Sequence, residues 1–288
     1  MRNAAFTLAV SLAMASAAVA QAPDAEQDDA KSIRTTLFQQ AEAYKFESRA
    51  KDADPVELNL HERSLLNWTN PLRAADVGII VIWEDEGLPL AFGTLFNRGP
   101  THMHSLTSLS EFPLHATYQD KTAWTPTPGV TWQKWEGNPN TVAPSKAVRM
   151  VQMRAIARQF EVRHRSGQAV KNLRLMPEPL HRFKSEKHKV VDGAILAFAE
   201  GTDAETMIIL RADETDQSWK FACARCGYFE MTALVDERVV WKVDPVRSTN
   251  ARTGVRQYRT SPYISSISPI SQARSVSFDD REAAVLLP

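Results

Sequence analysis

Cysteine is almost missing from this sequence, which has only Cys223 and Cys226 among its 288 residues. This scarcity excludes a scaffold held by several disulfides and a zinc site made of two Cys pairs. It also excludes covalent c-type haem, because Gly227 stands where that motif requires histidine. Familiar catalytic motifs are missing too, namely a G-x-S-x-G elbow, a glycine-rich phosphate loop, an H-E-x-x-H pair and an EF-hand loop. We therefore predict no cofactor.

An excess of charge is missing as well, since 34 basic residues balance 34 acidic residues. Such a balance gives no global reason to expect nucleic acid or a membrane surface as a partner. The local distribution is less even, because residues 144–192 contain twelve Lys or Arg and four Asp or Glu. This basic segment is either a solvated face or a surface for an anionic partner. The sequence identifies no other partner.

The longest uncharged run lies at the N-terminus and predicts export. Arg2 supplies a positive charge, residues 4–18 carry no charge, and Ala18-Val19-Ala20 offers small residues for cleavage. Residues 1–20 are therefore expected to be a secretory signal peptide, and their apolar run is too short to span a membrane. Later runs are shorter still, so we expect a mature protein that acts in the periplasm or outside the cell.

Hydrophobic periodicity predicts an α+β fold without the βαβ alternation of a parallel sheet. We expect an N-terminal helix with antiparallel strands, then a middle helix, then a second antiparallel β-rich unit. The expected helices cover residues 28–50 and 145–160. The expected hairpins join residues 78–83 to 88–96 and residues 194–199 to 207–210, each across a turn that contains glycine.

The chain divides into three parts after the signal peptide. Residues 24–166 are expected to form an α+β unit. Residues 167–245 are expected to form a β-rich unit, which either stands alone or completes one domain with the first. Residues 246–288 are polar and are interrupted by proline, so we expect an extended or disordered tail.

The spacing Cys223-Ala224-Arg225-Cys226 is the sharpest chemical feature, and in an oxidising compartment its default state is a disulfide. Arg225 would favour a thiolate in a redox-active pair, although the alternating residues after Cys226 suit a strand better than a thioredoxin-like helix. A second interpretation is a metal site shared with His102 and His104, whose spacing places them on one face of a strand. The third is a structural staple, which adds about 2 kcal/mol of stability because its loop is short.

Three adjacent carboxylates, Glu84, Asp85 and Glu86, occupy the turn of the first predicted hairpin. Catalytic acids and a solvated hairpin tip are both consistent with this pattern. Because the residues fall in a turn, we expect a solvated tip.

Several short motifs occur together between residues 67 and 241. They are Trp68-Thr69-Asn70-Pro71, Gln152-Met153-Arg154-Ala155-Ile156-Ala157 with Phe160, Leu173-Arg174-Leu175-Met176-Pro177-Glu178-Pro179-Leu180, His181-Arg182-Phe183, Asp192-Gly193-Ala194-Ile195-Leu196-Ala197-Phe198 and Gly201-Thr202-Asp203. In combination they resemble an uncharacterised family of exported proteins from planctomycete bacteria. The resemblance implies export and no particular activity. Members of that family usually lack the Cys-x-x-Cys pair, which implies that Cys223 and Cys226 are a local feature.

The sequence therefore predicts a non-catalytic exported binding protein or an envelope-associated protein. The alternative is an extracytoplasmic enzyme, in its most concrete form a thiol–disulfide exchanger that uses Cys223 and Cys226.

Overall fold

The computed structural model of the chain describes residues 24–49, 54–70, 75–246 and 261–267. Its fold is α+β and consists mostly of antiparallel strands, which confirms the expected class in its coarse form. In chain order the elements are α1 (Asp24–Glu42), β1 (Tyr44–Ser48), β2 (Val56–Leu60), β3 (Leu66–Asn70), β4 (Ala75–Asp85), β5 (Leu88–Arg98), β6 (Thr101–Ser108), β7 (Leu114–Tyr118), β8 (Lys121–Trp124), β9 (Gln133–Lys134), α2 (Lys146–Ala157), β10 (Phe160–Ser166), β11 (Ala169–Asn172), β12 (Arg174–Leu175), β13 (His181–Ser185), β14 (Val190–Glu200), β15 (Asp203–Asp213), β16 (Trp219–Arg225), β17 (Glu230–Val235), β18 (Arg238–Val243) and β19 (Tyr263–Ile267).

Most of the first half of the chain forms a nine-stranded sheet in the order β19-β6-β5-β4-β2-β1-β7-β8, with β3 paired to β4. This sheet curls until it is nearly closed, like a barrel. Its edges meet where the Trp124 indole N–H, at the end of β8, donates to the Ser261 carbonyl oxygen over 2.9 Å. The curled sheet surrounds one hydrophobic core, and α1 contributes Leu37 and Ala41 to that core. Near closure also protects the strand edges from further pairing.

The predicted helix over residues 28–50 is wrong at its C-terminal end, because α1 ends at Glu42. The chain then continues as β1, in which Tyr44, Phe46 and Ser48 are buried and the residues between them are more exposed. Both aromatic rings also fit a 3.6-residue stripe, so periodicity alone does not separate helix from strand here. Pairing of β1 with β2 and with β7 decides in favour of the strand, where aromatic side chains pack well.

A six-stranded sheet has the order β12-β14-β15-β16-β9, with β13 paired to β14. The predicted hairpin between residues 194 and 210 is confirmed by the pairing of β14 with β15. Ile195 and Ile209 join the core of the nine-stranded sheet, whereas Leu196 and Ile208 join a second core on the other face. Because both faces are buried, these strands appear in the sequence as nearly continuous apolar runs.

A four-stranded sheet, in the order β11-β10-β17-β18, and α2 complete the second core. The residues that α2 buries are Met153, Ile156 and Ala157. The helix predicted over residues 145–160 is correct except at its end, since Phe160 begins β10 instead. Ser145 occupies the N-cap position but makes no side-chain hydrogen bond there.

Strands that precede residue 167 pair with strands that follow it. β9 pairs with β16, and β10 pairs with β17, so the expected units 24–166 and 167–245 share two sheets. Within the expected tail, residues 246–288, the described segment 261–267 contains β19, which pairs with β6. The expected signal peptide lies outside the described residues. In the parts of the chain that are described, no helix combines the length and the apolar character of a membrane span.

Candidate metal centre

The two cysteines do not form the expected disulfide. Both are buried free thiols, Cys223 within β16 and Cys226 directly after it. Successive residues of a strand face opposite sides, so residues three positions apart also face opposite sides. Cys223 accordingly packs into the core beside α2, whereas Cys226 packs into the core of the nine-stranded sheet. The sulfurs are therefore directed apart, which a disulfide does not tolerate.

Thiol–disulfide exchange gains no support from this geometry. Burial raises the pKa of both thiols, and Glu205 raises the pKa of Cys226 further. Arg225 acts on Cys226 in the opposite direction, but its effect is smaller than that of burial. The Arg225 guanidinium instead donates to the backbone carbonyl oxygens of Gly227, Phe229 and Asp244. Buried thiols with raised pKa values react slowly.

His102 and His104 lie in β6, and both contact the same side chain of α1. Gln40 Nε2 donates to His102 Nδ1 over 2.8 Å, and Gln40 Oε1 accepts from His104 Nε2 over 2.9 Å. The Tyr44 hydroxyl donates to His104 Nδ1 over 2.9 Å. Burial, and to a smaller extent His102, lowers the pKa of His104 to about 3. Both nitrogens of this neutral ring are engaged, so His104 has no lone pair to offer to a metal ion.

The predicted solvated tip of the β4–β5 hairpin is wrong for two of its three carboxylates. Glu86 is exposed, but Asp85 is buried and Glu84 is half-buried. The tip packs on the hairpin of β13 and β14, where a Cβ on Gly87 would lie 2.5 Å from the Lys184 carbonyl oxygen. This close approach brings two adjacent carboxylates, which face opposite sides of β4, against residues of the second hairpin.

Glu84 is the centre of a group with His61 and His181 that we call the open cluster. His61 directly follows β2, and its backbone N–H donates to the Ile82 carbonyl oxygen over 3.0 Å, which places it beside β4. His61 Nδ1 lies 3.3 Å from Glu84 Oε1, and His181 Nε2 lies 3.7 Å from Glu84 Oε2. The two imidazole rings meet edge to face, with centroids 4.9 Å apart. One ligand atom from each residue lies within 4.8 Å of the others.

The open cluster remains in contact with water, since its side chains are 20%, 20% and 12% exposed for His61, Glu84 and His181. Burial, followed by His61 and Arg63, lowers the pKa of His181 to about 4. This imidazole is therefore neutral near pH 7 and can act as a metal ligand without first losing a proton. The charge of Arg63 opposes a cation at this position, whereas the carboxylate of Glu84 favours one.

Two imidazoles and one carboxylate form a donor set that suits Zn²⁺ and related divalent transition-metal ions. Three protein ligands also leave one coordination position open for water or for a group of another molecule. A direct set of hydrogen bonds from the two histidines to Glu84 is the alternative without a metal.

The opposite face of β4 carries different chemistry. Lys187 Nζ and His188 Nε2 each lie 2.8 Å from a carboxylate oxygen of Asp85, at the wall of a cleft of about 330 Å³. Elsewhere in this cleft the Arg211 guanidinium lies 4.0 Å above the centroid of the Trp132 ring. Charges of both signs line the cleft and pair with one another. The lining of the cleft therefore indicates no particular class of ligand, whereas the open cluster does.

The basic segment over residues 144–192 supplies partners within the fold. Arg149 Nε and Arg182 Nε each donate to a carboxylate oxygen of Asp192 over 2.8 Å. Burial alone would raise the pKa of Asp192, but hydrogen bonds from Arg182 and Arg149 outweigh it and hold that pKa below its usual value. Part of the basic excess is thus used internally, and an anionic partner stays a prediction.

Sequence analysis missed the open cluster because its members are far apart in the chain. His61 and Glu84 are 23 residues apart, and His181 lies in the second half of the sequence. The sequence assigned Glu84 to a hairpin turn, and only the observed pairing of β2 with β4 places His61 beside it. The contribution of His181 depends on how two hairpins pack, which no local pattern encodes.

Comparison with known protein families, with curated proteins and with solved structures gives no match for this chain. The resemblance to an exported planctomycete family stays a prediction. Function must therefore be inferred from the open cluster itself.

Proposed function

We propose that this chain is an exported, non-catalytic binding protein whose ligand is a divalent transition-metal ion, held by His61, Glu84 and His181. The observation that carries the proposal is the convergence of two imidazole nitrogens on the two oxygens of one carboxylate. The three residues lie at the end of β2, in β4 and in β13. Backbone pairing fixes each of these positions, so the donor atoms are held in place before the ion arrives.

The separations are compatible with a coordination shell, and His61 Nδ1 also lies within hydrogen-bonding distance of Glu84 Oε1. Charge-assisted N–H···O bonds are usually about 2.7–2.9 Å long, which is shorter than the 3.3 Å and 3.7 Å found around Glu84. In a tetrahedral zinc site with bonds of about 2.0–2.1 Å, neighbouring ligand atoms lie about 3.3 Å apart. The two distances from Glu84 are close to this value, and all three ligand atoms lie within 4.8 Å of one another.

Charge favours an additional anionic or water ligand on the bound ion. Glu84 supplies one negative charge, and the His181 imidazole is neutral because its pKa is lowered to about 4. A divalent ion thus keeps excess positive charge at its open coordination position, and Arg63 adds to it. The biological ligand is therefore the ion alone or the ion together with a small anion.

The alternative function, thiol–disulfide exchange by Cys223 and Cys226, has no supporting observation, since both thiols are buried. Binding through the open cluster requires no covalent step and no second reactive group. This is why we favour a binding protein over an enzyme.

Isothermal titration of the mature, tag-free chain with Zn²⁺ tests the proposal; a histidine tag would itself bind zinc. His181→Ala removes one of three ligands and should weaken zinc binding at the open cluster at least roughly 100-fold, since even outer-shell partners contribute 10–100-fold. The matched control is His115→Ala, which removes a half-buried histidine of β7 outside the cluster and should leave binding unchanged. Equal stoichiometry and affinity in the wild type and in His181→Ala would contradict the proposal.

A further inference from the structure

A second group of histidine and carboxylate side chains, which we call the closed cluster, consists of His164, Glu200 and Glu205. One ligand atom from each of these residues lies within 4.8 Å of the others. His164 belongs to β10, Glu200 ends β14, and Glu205 lies near the start of β15. His164 Nε2 is 3.4 Å from Glu200 Oε2. The cluster therefore joins the four-stranded sheet to the six-stranded sheet.

Burial distinguishes this cluster from the open one. The His164 side chain and the Glu205 residue are each 1% exposed, whereas the Glu200 side chain is 30% exposed and gives a route from solvent. An ionised carboxylate that loses its water is costly unless a positive charge and hydrogen bonds compensate it. His164 and Lys171 pair with Glu200, and the Arg225 charge lies near Glu205, so the carboxylates of this cluster are placed among positive groups.

The Cys-x-x-Cys segment wraps around Glu205. The backbone N–H groups of Cys226 and Gly227 donate to the Glu205 carbonyl oxygen over 2.8 Å and 3.2 Å. A Cβ at Gly227 would overlap Oε2 of the same residue. The absence of a side chain at Gly227 thus lets the backbone approach the carboxylate closely. We call this segment, residues 223–227, the cradle.

The side chains of Arg225 and Phe229 stabilise the conformation of this cradle. Arg225 donates to the carbonyl oxygens of Gly227 and Phe229. The Phe229 ring meets the His164 ring edge to face, with centroids 4.8 Å apart and planes at 83°. One short segment therefore positions both the Glu205 carboxylate and the His164 imidazole.

We propose that the closed cluster binds a second divalent transition-metal ion, which links the two sheets in a structural role. One imidazole and two carboxylates match the donor set of such ions. The burial of His164 and Glu205 restricts exchange of the ion with solvent, which suits a structural role. The proposal is independent of the function proposed for the open cluster.

Zinc content per chain, measured by native mass spectrometry on the folded, tag-free mature chain after equilibration with Zn²⁺, tests this proposal. We expect two ions in the wild type and one in His181→Ala, where only the closed cluster remains. Glu200→Gln keeps the shape of a half-exposed side chain and removes its charge. In the His181→Ala background it should abolish binding of the remaining ion or weaken it at least roughly ten-fold.

The matched control is Glu230→Gln in the same background, because Glu230 is a half-buried carboxylate of β17 that pairs with Arg165 and Lys242. This control should keep one ion, and circular dichroism should show that each variant folds. No zinc in His181→Ala, or unchanged binding after Glu200→Gln, overturns the closed site. Failure of the open site has a different signature, namely equal zinc content in the wild type and in His181→Ala.

Discussion

The open and closed clusters contain the same kinds of side chain but differ in their contact with water. In the open cluster, side-chain exposure ranges from 12% for His181 to 20% for His61 and Glu84. In the closed cluster His164 is 1% exposed and Glu205 is buried, while Glu200 is 30% exposed. The open cluster lies where two hairpin ends pack, and the closed cluster lies between two sheets. We therefore propose different roles: exchange of ligand at the open cluster, whose three residues are all partly exposed, and structural linkage at the closed cluster, where two of the three residues are buried.

The two clusters also differ in how their side chains are placed. The two thiols of the Cys-x-x-Cys segment face different cores, and the backbone N–H groups of Cys226 and Gly227 donate to the Glu205 carbonyl oxygen. The side chains of the open cluster are placed by strand pairing and by contact between two hairpins.

The largest expected difference between the clusters is in stability. In the metal-free chain, His164→Ala removes a buried ring that packs on Phe229 and pairs with Glu200, and should lower the free energy of unfolding by roughly 2–5 kcal/mol. His61→Ala affects a partly exposed pair and should cost less than about 1 kcal/mol. Urea unfolding measures both, with His115→Ala as the control. Equal losses in the free energy of unfolding would show that the two clusters do not differ in burial as we propose.

His104 is a buried histidine that lies in neither cluster, and it serves as a reference for the loss of folding stability at low pH. Its folded-state pKa is about 3, below its usual value, so the unfolded state takes up a proton first as the pH falls. Stability is therefore lost as the pH falls from about 6.5 towards about 3, by roughly 3 kcal/mol at pH 4.

His104→Gln cannot titrate and should remove that part of the acid sensitivity; Gln40, Tyr44, His102 and Tyr118 are the polar groups that face this ring. Urea unfolding of both proteins between pH 4 and pH 7.5 measures the difference. An unchanged pH dependence would show that the acid response arises elsewhere, and it would then have to be sought among the histidines of the two clusters.

The smallest expected effect concerns thiol reactivity. In the native protein both thiols should react with a disulfide reagent at least roughly ten-fold more slowly than in urea, because burial raises their pKa values. Chelation should accelerate Cys226, whose backbone surrounds the closed cluster, more than Cys223 within β16. Cys223→Ala and Cys226→Ala separate the two rates. Equal acceleration of both would argue against a local cradle.

Much of the fold could be predicted from the sequence because its signals are local. The hairpin of β4 and β5 combines two apolar runs with a glycine turn, and its pairing confirms the prediction. The end of α1 could not be predicted in the same way, since Tyr44 and Phe46 satisfy both helical and strand periodicities. Their pairing with distant strands settles the conformation.

The candidate sites were much less predictable. His102 and His104 attracted attention through their spacing, yet their polar contacts are with Gln40 and Tyr44. His61, Glu84 and His181 have no shared motif, and only the packing of two hairpins brings them together. Short motifs report local chemistry, whereas this site depends on contacts between distant strands.

The most direct measurement is an anomalous difference map at the zinc edge, from crystals of the mature chain grown with Zn²⁺. The open cluster predicts a peak about 2.0–2.2 Å from ligand atoms of His61, Glu84 and His181. The closed cluster predicts a second peak between His164, Glu200 and Glu205. A map without density between His61 and His181, from crystals that contain zinc elsewhere, would contradict the proposed metal-binding function.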